Sequence, residues 1–305
     1  MKQRKTGIIT AIILSLFMSY ACIDEDMENC PVESVLYIKI VETTTREDIT
    51  SSGEVDAIDL FVFDQEGNYL ESISLTQEQI RQQEAIRIKH AKNQQALQIA
   101  AWGNLSEKEV VSEISSTDKL DNLTISLITQ TDGYTLPPDN LFYGIKSLNT
   151  RNSVDLDSEM TIFRKNARVY ISVRGLPAES EDEDYFFKIR HSYNGYTFKG
   201  EPTYKVISLK ESGYFMKNSD YVTRTPVNLI HSGNSSLNND GVAIYLLDKK
   251  ENIWAEAKQD MEGGPILLKP GTTTNVLIDL DAQEGMNVHI KITDWNEVHQ
   301  WVNWR

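Results

Sequence analysis

Short runs of β-branched and aromatic residues recur along this chain roughly every 10 to 15 residues, each closed off by turn-forming residues. Residues 35–41 read V-L-Y-I-K-I-V and residues 57–63 read A-I-D-L-F-V-F. Side chains that branch at Cβ or carry rings suit a pleated, half-buried surface, so each run predicts a strand. Residues 64–68 (D-Q-E-G-N) supply a turn, and 69–75 predict the returning hairpin partner. In 85–89, Ile86 and Ile88 alternate with Arg87 and Lys89, the period of a strand with one wet face. Further strands are predicted at 97–102, 123–128, 141–145, 161–163, 168–173, 185–190, 204–209, 227–230, 242–247, 266–268, 275–280 and 287–292. One helix is predicted after Ser106: Ser106 and Glu109 have the spacing of a capping box, and Val110, Val111 and Ile114 give a short apolar face. Many strands and few helices predict an all-β protein built from sandwiches. With 40% hydrophobic residues in 305, the chain can fill two cores. The predicted division is an N-terminal domain at 34–155 and a C-terminal domain at 156–305, parted in the polar stretch 153–158.

The first 21 residues follow a different rule. Lys2, Arg4 and Lys5 precede an apolar run at 8–18, then small Ala21, then Cys22. A charged start, a short apolar core and a small residue at the cut make a secretory signal. The apolar run is too short to span a bilayer as a helix, which needs about 20 residues. A cysteine directly after the cut resembles a lipoprotein signal, in which the thiol receives a diacylglycerol before cleavage. Ser19 and Tyr20 depart from the usual lipobox, and plain secretion is the alternative. The expected mature N-terminus is a lipidated Cys22, and residues 22–33 form an acidic tether. Asp24, Glu25 and Asp26 are either simply solvated or a surface-sorting tag, as in similar surface lipoproteins of Bacteroidetes.

Charge and cysteine count narrow the function. The chain carries a formal −15, and losing Lys2, Arg4 and Lys5 with the signal takes it to −18. Bulk electrostatics then disfavours nucleic acid and anionic lipid surfaces. Two cysteines, Cys22 and Cys30, exclude a disulfide-built scaffold and a four-thiolate zinc site. None of the five histidines, His90, His191, His231, His289 and His299, pairs with another at helical metal-ligand spacing. There is no phosphate loop and no nucleophile elbow. Residues 236–241 (S-L-N-N-D-G) start like a calcium loop, but Leu247 stands where a bidentate Glu is needed. No enzyme and no cofactor beyond the covalent lipid is expected. Trp295 reads as a core anchor after the last strand. Trp301 and Trp304, in a short polar tail, are candidates for a partner contact, with folding back onto their own domain as the alternative.

Several short motifs, in order, carry a family resemblance. They are Cys22-Ile23-Asp24-Glu25-Asp26 leading to Cys30-Pro31, Ile58-Asp59-Leu60-Phe61-Val62-Phe63-Asp64 with Gly67, and Ala101-Trp102-Gly103-Asn104. Leu141-Phe142-Tyr143-Gly144, then Arg164 with Arg168-Val169-Tyr170-Ile171-Ser172-Val173, and Ile290-Lys291-Ile292-Thr293-Asp294-Trp295 complete the series. The chain resembles the fimbrial anchor (FimB-like) lipoproteins of Bacteroidales, within the wider fimbrillin group. The resemblance implies two tandem transthyretin-like β-sandwich domains, an outer-membrane location and fimbrial pilin subunits as partners. It also implies that shaft subunits are cut after an arginine and lose their first strand, leaving a groove that a neighbour's strand fills. Anchors keep the strand and the lipid, and so hold the fibre and limit its length. Arg46, in the loop after the first predicted strand, is followed by Glu47 and Asp48, which disfavour a trypsin-like cut. It is read as an ordinary loop arginine. A shaft or tip subunit, or a glycan-binding surface lipoprotein, are the alternatives.

Overall fold

The computed structural model describes residues 31–91, 94–115, 117–150, 157–177, 180–231, 241–280 and 285–301. The strands in chain order are β1 (Pro31–Val41), β2 (Ala57–Phe63), β3 (Tyr69–Thr76), β4 (Ile86–Ala91), β5 (Ala96–Gly103), β6 (Glu109–Val111), β7 (Thr124–Leu127), β8 (Phe142–Asn149) and β9 (Asp157–Arg164). There follow β10 (Ala167–Arg174), β11 (Tyr185–Thr197), β12 (Pro202–Phe215), β13 (Tyr221–Thr223), β14 (Val227–Leu229), β15 (Ala243–Asp248), β16 (Ile253–Ala257), β17 (Thr272–Asp279) and β18 (Asn287–Asp294). The one described α-helix, α1 (Gln77–Arg81), is a single turn. The protein is all-β, as the sequence predicts.

The first sheet runs β3-β2-β5-β8-β9-β1-β4. Its two wings meet through only two residue pairs, Phe142 with Arg164 and Tyr143 with Phe163, where β8 hands over to β9. Gly144 sits at that corner because a Cβ there would lie 2.5 Å from the Thr161 carbonyl oxygen. Both wings feed one apolar interior: Leu36, Ile38 and Ile40 from β1, Ile58, Leu60 and Val62 from β2, and Met160 and Ile162 from β9 belong to it. The second sheet runs β16-β15-β11-β12-β13-β10-β17-β18, with β14 on β10. Its interior is continuous with the outer face of the first sheet, where Phe61, Phe63, Trp102 and Tyr143 join Tyr196 and Phe198. Phe61 meets Phe198 edge-on at 4.7 Å, and the Tyr143 hydroxyl donates to the Phe198 carbonyl at 3.1 Å. This second contact surface explains why β2 is apolar on both faces, a pattern that strict alternation would not give.

Strand pairing corrects the predicted division at 155 and 156. β9 lies beyond that boundary yet pairs along β1 from Val35–Asp157 to Val41–Phe163. Its Met160 and Ile162 need the first core to be buried. Conversely, β7 comes from the first half but pairs with β11, and β6 pairs with β7. Backbone meets backbone so closely at that join that a Cβ on Gly195 would fall 1.9 Å from the Ile125 carbonyl oxygen.

The helix predicted after Ser106 is also corrected. The Glu109 carboxylate does accept from the Ser106 N–H and hydroxyl, both at 3.0 Å, but the turn opens into β6. Val110 and Val111 are β-branched and find partners in Ser126 and Ile125, which outweighs a one-turn helix. The capping box that does start a helix is Thr76 with Gln79. Residues 266–268 contribute buried Ile266 and Leu268 but no strand.

Candidate functional site

The first strand and the loop behind it form the region on which the anchor and shaft expectations diverge. β1 has neighbours on both edges: β4 antiparallel from Pro31–Ala91 to Leu36–Ile86, and β9 parallel along its other side. Leu36, Ile38 and Ile40 are all at most 3% exposed. Each such side chain contributes about 1.5–3 kcal/mol of burial, so removing β1 would cost several kcal/mol and split β4 from β9.

The loop after β1 is closed by its own backbone. The Glu42 N–H donates to the Glu47 carbonyl at 2.9 Å, and the Arg46 N–H to the Glu42 carbonyl at 3.1 Å. Arg46 is exposed but stands at φ 64°, and its guanidinium lies 5.1 Å from the Phe163 ring centroid. Asp48 accepts the Thr50 hydroxyl at 2.7 Å and the Thr50 N–H at 3.0 Å, with Lys39 at 3.6 Å. Those contacts, the Thr50 hydroxyl foremost, hold its carboxyl below the usual range. A protease must draw the bond after Arg46 into an extended conformation, which this loop resists.

Directly behind the loop lies a buried ionic and aromatic stack. Arg164, at the end of β9, has a side chain with no exposed surface. It donates to Glu42 through Nε at 3.3 Å and Nη2 at 3.0 Å, and its Nη2 also meets Glu54 at 2.5 Å. Its guanidinium carbon lies 4.6 Å from the Phe142 ring and 4.3 Å from the Trp295 ring. Arg168 reaches the Trp295 ring at 4.2 Å. Burial, with Arg164 beside it, pulls Arg168 down to about 10. Glu42, Glu54 and Phe142 come from the first sheet's half and Trp295 from the end of β18, so the stack pins one half to the other. Trp295 is 2% exposed, the anchor its position after the last strand predicts, although the core it anchors is the junction.

Cys22, Asp24, Glu25, Asp26 and Trp304 lie outside the described residues, as do Cys30 and residues 236–240. Trp301 is described and half-buried on its own domain. Its carbonyl accepts from Arg174 Nη2 at 3.2 Å, and its ring lies 4.6 Å from His299 and 6.1 Å from His289. The His299 N–H donates to the Asn275 side chain at 2.9 Å, fixing the tail across β17. Of the other histidines, His90 lies 3.0 Å from the Ser34 hydroxyl, and buried His191 lies 2.7 Å from the Ile230 carbonyl. Among the described residues no three His, Cys, Asp or Glu side chains are grouped to hold a metal.

Comparison with known proteins matches the architecture to a family. The family of fimbrillin-A associated anchor proteins Mfa1 and Mfa2 matches residues 27–301. The chain belongs to this anchor family. Among curated relatives, the major fimbrium anchoring subunit FimB of Porphyromonas gingivalis is 23% identical over 315 residues, covering 100% of both chains. Another FimB sequence from that species is 24% identical over 311 residues, covering 98% of each. The solved fimbrial anchor protein Mfa2 from Porphyromonas gingivalis shares the fold, with a TM-score of 0.63 at 16% identity over 87% of this chain and 98% of that one. For this anchor-family member, Arg164 was legible only as a letter in the resemblance, and Trp295 only as a core anchor. Nothing in the sequence said that Arg164 would meet Glu42 and Glu54, more than a hundred residues earlier.

Proposed function

We propose that this chain is the subunit that fastens a fimbrium to the outer membrane, held there by a lipid on Cys22 and limiting fibre length from the base. The observation that carries this reading is the state of β1. It is hydrogen-bonded on both edges, buried on one face, and followed by a closed loop rather than a displayed cleavage site. A subunit that keeps this strand has no empty groove here to accept a neighbour's strand, which suits the end of a fibre. Family membership supports the same role. Asp24, Glu25 and Asp26 direct surface display, and Trp304 with the exposed part of Trp301 contacts a pilin. The role calls for no catalysis, no cofactor other than the lipid, and no nucleic acid.

The test is the mature protein recovered from cells making the fibre. The expected N-terminus is an acylated Cys22, and Cys22→Ala abolishes labelling by a palmitate analogue. A product starting at Glu47 would make the chain a shaft subunit instead. Replacing Asp24, Glu25 and Asp26 with Ala is expected to protect the protein from protease added to intact cells. Unchanged digestion would reduce the triple to a solvated linker.

A further inference from the structure

The outer face of the second sheet carries a charge arrangement that the anchor role does not explain. Lys188 on β11 is paired directly with Lys210 on β12 on one side and Tyr245 on β15 on the other. Ile189, Leu209 and Ile244 point into the core, so the lysines and Tyr245 face outward. Arg190 lies two residues along β11 on the same face and is exposed. Like charges directly opposite on neighbouring strands destabilise a sheet. Among the described residues none of Lys188, Lys210 and Arg190 has a carboxylate in ion-pair range, although the chain as a whole is strongly acidic. At the other end of the row Glu256 is held by Lys258 at 2.5 Å. Both lysines lie against aromatic rings instead: Lys210 is 4.4 Å from the centroid of Phe186 and 5.6 Å from that of Tyr134, and Lys188 is 6.0 Å from Tyr134. Tyr134 arrives on a hairpin tied to β12 by the Thr135 N–H, which donates to the Ser208 carbonyl at 2.7 Å. Asp132 and Glu251 are the carboxylates that act on Tyr134, so negative charge borders the patch on that side.

We propose that this face binds an acidic polysaccharide, with Lys188, Lys210 and Arg190 taking its carboxylates and the rings of Tyr134 and Tyr245 taking its sugar faces. Three cations within about two strand spacings of one another have an anion as their electrostatic complement. A like-charge pair that no carboxylate neutralises is the kind of departure from a local stability rule that functional sites display. A sheet face of this width suits an extended polymer rather than a small ligand. Half-buried tyrosines beside the cations favour sugar rings over an acidic peptide, because a ring offers an apolar face to an aromatic plane. This inference is independent of the anchor reading and fails separately from it.

The test uses the full-length protein in detergent against immobilised polygalacturonate, neutral dextran and polyglutamate. The expected result is binding to polygalacturonate that weakens as salt is raised, with neither dextran nor polyglutamate held comparably. Lys188→Ala with Lys210→Ala is expected to weaken polygalacturonate binding about tenfold or more, while the melting temperature stays level or rises. Tyr134→Ala is expected to weaken it as well. Equal retention on dextran, or an unchanged affinity in the double lysine variant, overturns the site. Polyglutamate held as tightly as polygalacturonate overturns the sugar assignment. A lower melting temperature in the double variant would show that the lysines are structural and likewise overturn the proposal.

Discussion

The guanidinium carbon of Arg164 lies 4.3 Å from the ring of Trp295, across the junction between the two halves of the chain. Arg164 is also the only described cation within ion-pair range of Glu42, itself 7% exposed. Removing the arginine leaves a nearly buried carboxylate without its partner, which typically costs about 3–5 kcal/mol. Arg164→Met is expected to lower stability by that order in chemical denaturation. Arg164→Lys keeps the charge but loses the fork and the flat stacking surface, and should fall between wild type and Met.

Cleavage after Arg46 is expected to be limited by loop opening. Brief trypsin treatment of the folded protein should cut exposed lysines and leave the bond after Arg46 intact, as read by mass spectrometry. Thr50→Ala removes the hydroxyl that Asp48 and the Ile40 N–H both use. Combined with Phe163→Ala, which removes the ring under Arg46, it should speed appearance of a fragment starting at Glu47. An unchanged rate would show that the closed loop does not protect the bond.

Gly195→Ala is expected to disturb the join between β7 and β11. The added Cβ would sit 1.9 Å from the Ile125 carbonyl oxygen, so one strand must move. Overpacking of this kind costs about 1–3 kcal/mol. Hydrogen exchange should quicken at residues 124–127 and 109–111 first, because among the described strands β6 pairs with the sheet through β7 alone.

Acid should weaken the second half through His191 and His231. Burial pulls His191 down to about 4, and burial, Lys165 and His191 pull His231 down to about 3. Folded pKa values below the unfolded 6.5 mean that the unfolded chain binds more protons between those values. Stability is therefore full above about pH 6.5 and falls as the pH drops toward 4. One wholly buried histidine shifted this far contributes on the order of 3 kcal/mol across that window. Denaturation midpoints against pH, with His191→Gln as the comparison, check it: the variant should show a shallower fall.

Most strands were legible because β-branched and aromatic runs between Gly, Asn, Asp and Pro turns have few other ways to bury themselves. Residues 57–63 form β2 with the ends the sequence predicts. β13 and β16 went unpredicted because three to five residues carry too little pattern. Thr76 and Gln79 held the true capping box, but it directly follows a strand-like run and reads as its continuation. The polar stretch near 153–158 looked like a domain break, since nothing local shows that β9 must return to β1. The stack around Arg164 was invisible for the same reason: sequence supplies the charges, and only long-range pairing decides which ones meet.

The two-sided pairing of β1 also sets how the protein bears a load. Under the proposed anchor role, a tether joined ahead of Pro31 would pull the strand lengthwise, along the direction of its own backbone. Its ladders to β4 and β9 lie side by side across that pull, so their hydrogen bonds are strained together rather than broken one after another. Resistance to such a pull is governed by the barrier to unfolding rather than by equilibrium stability. A strand held in shear by two neighbours gives tension on the leash no single bond at which to begin peeling the fold apart.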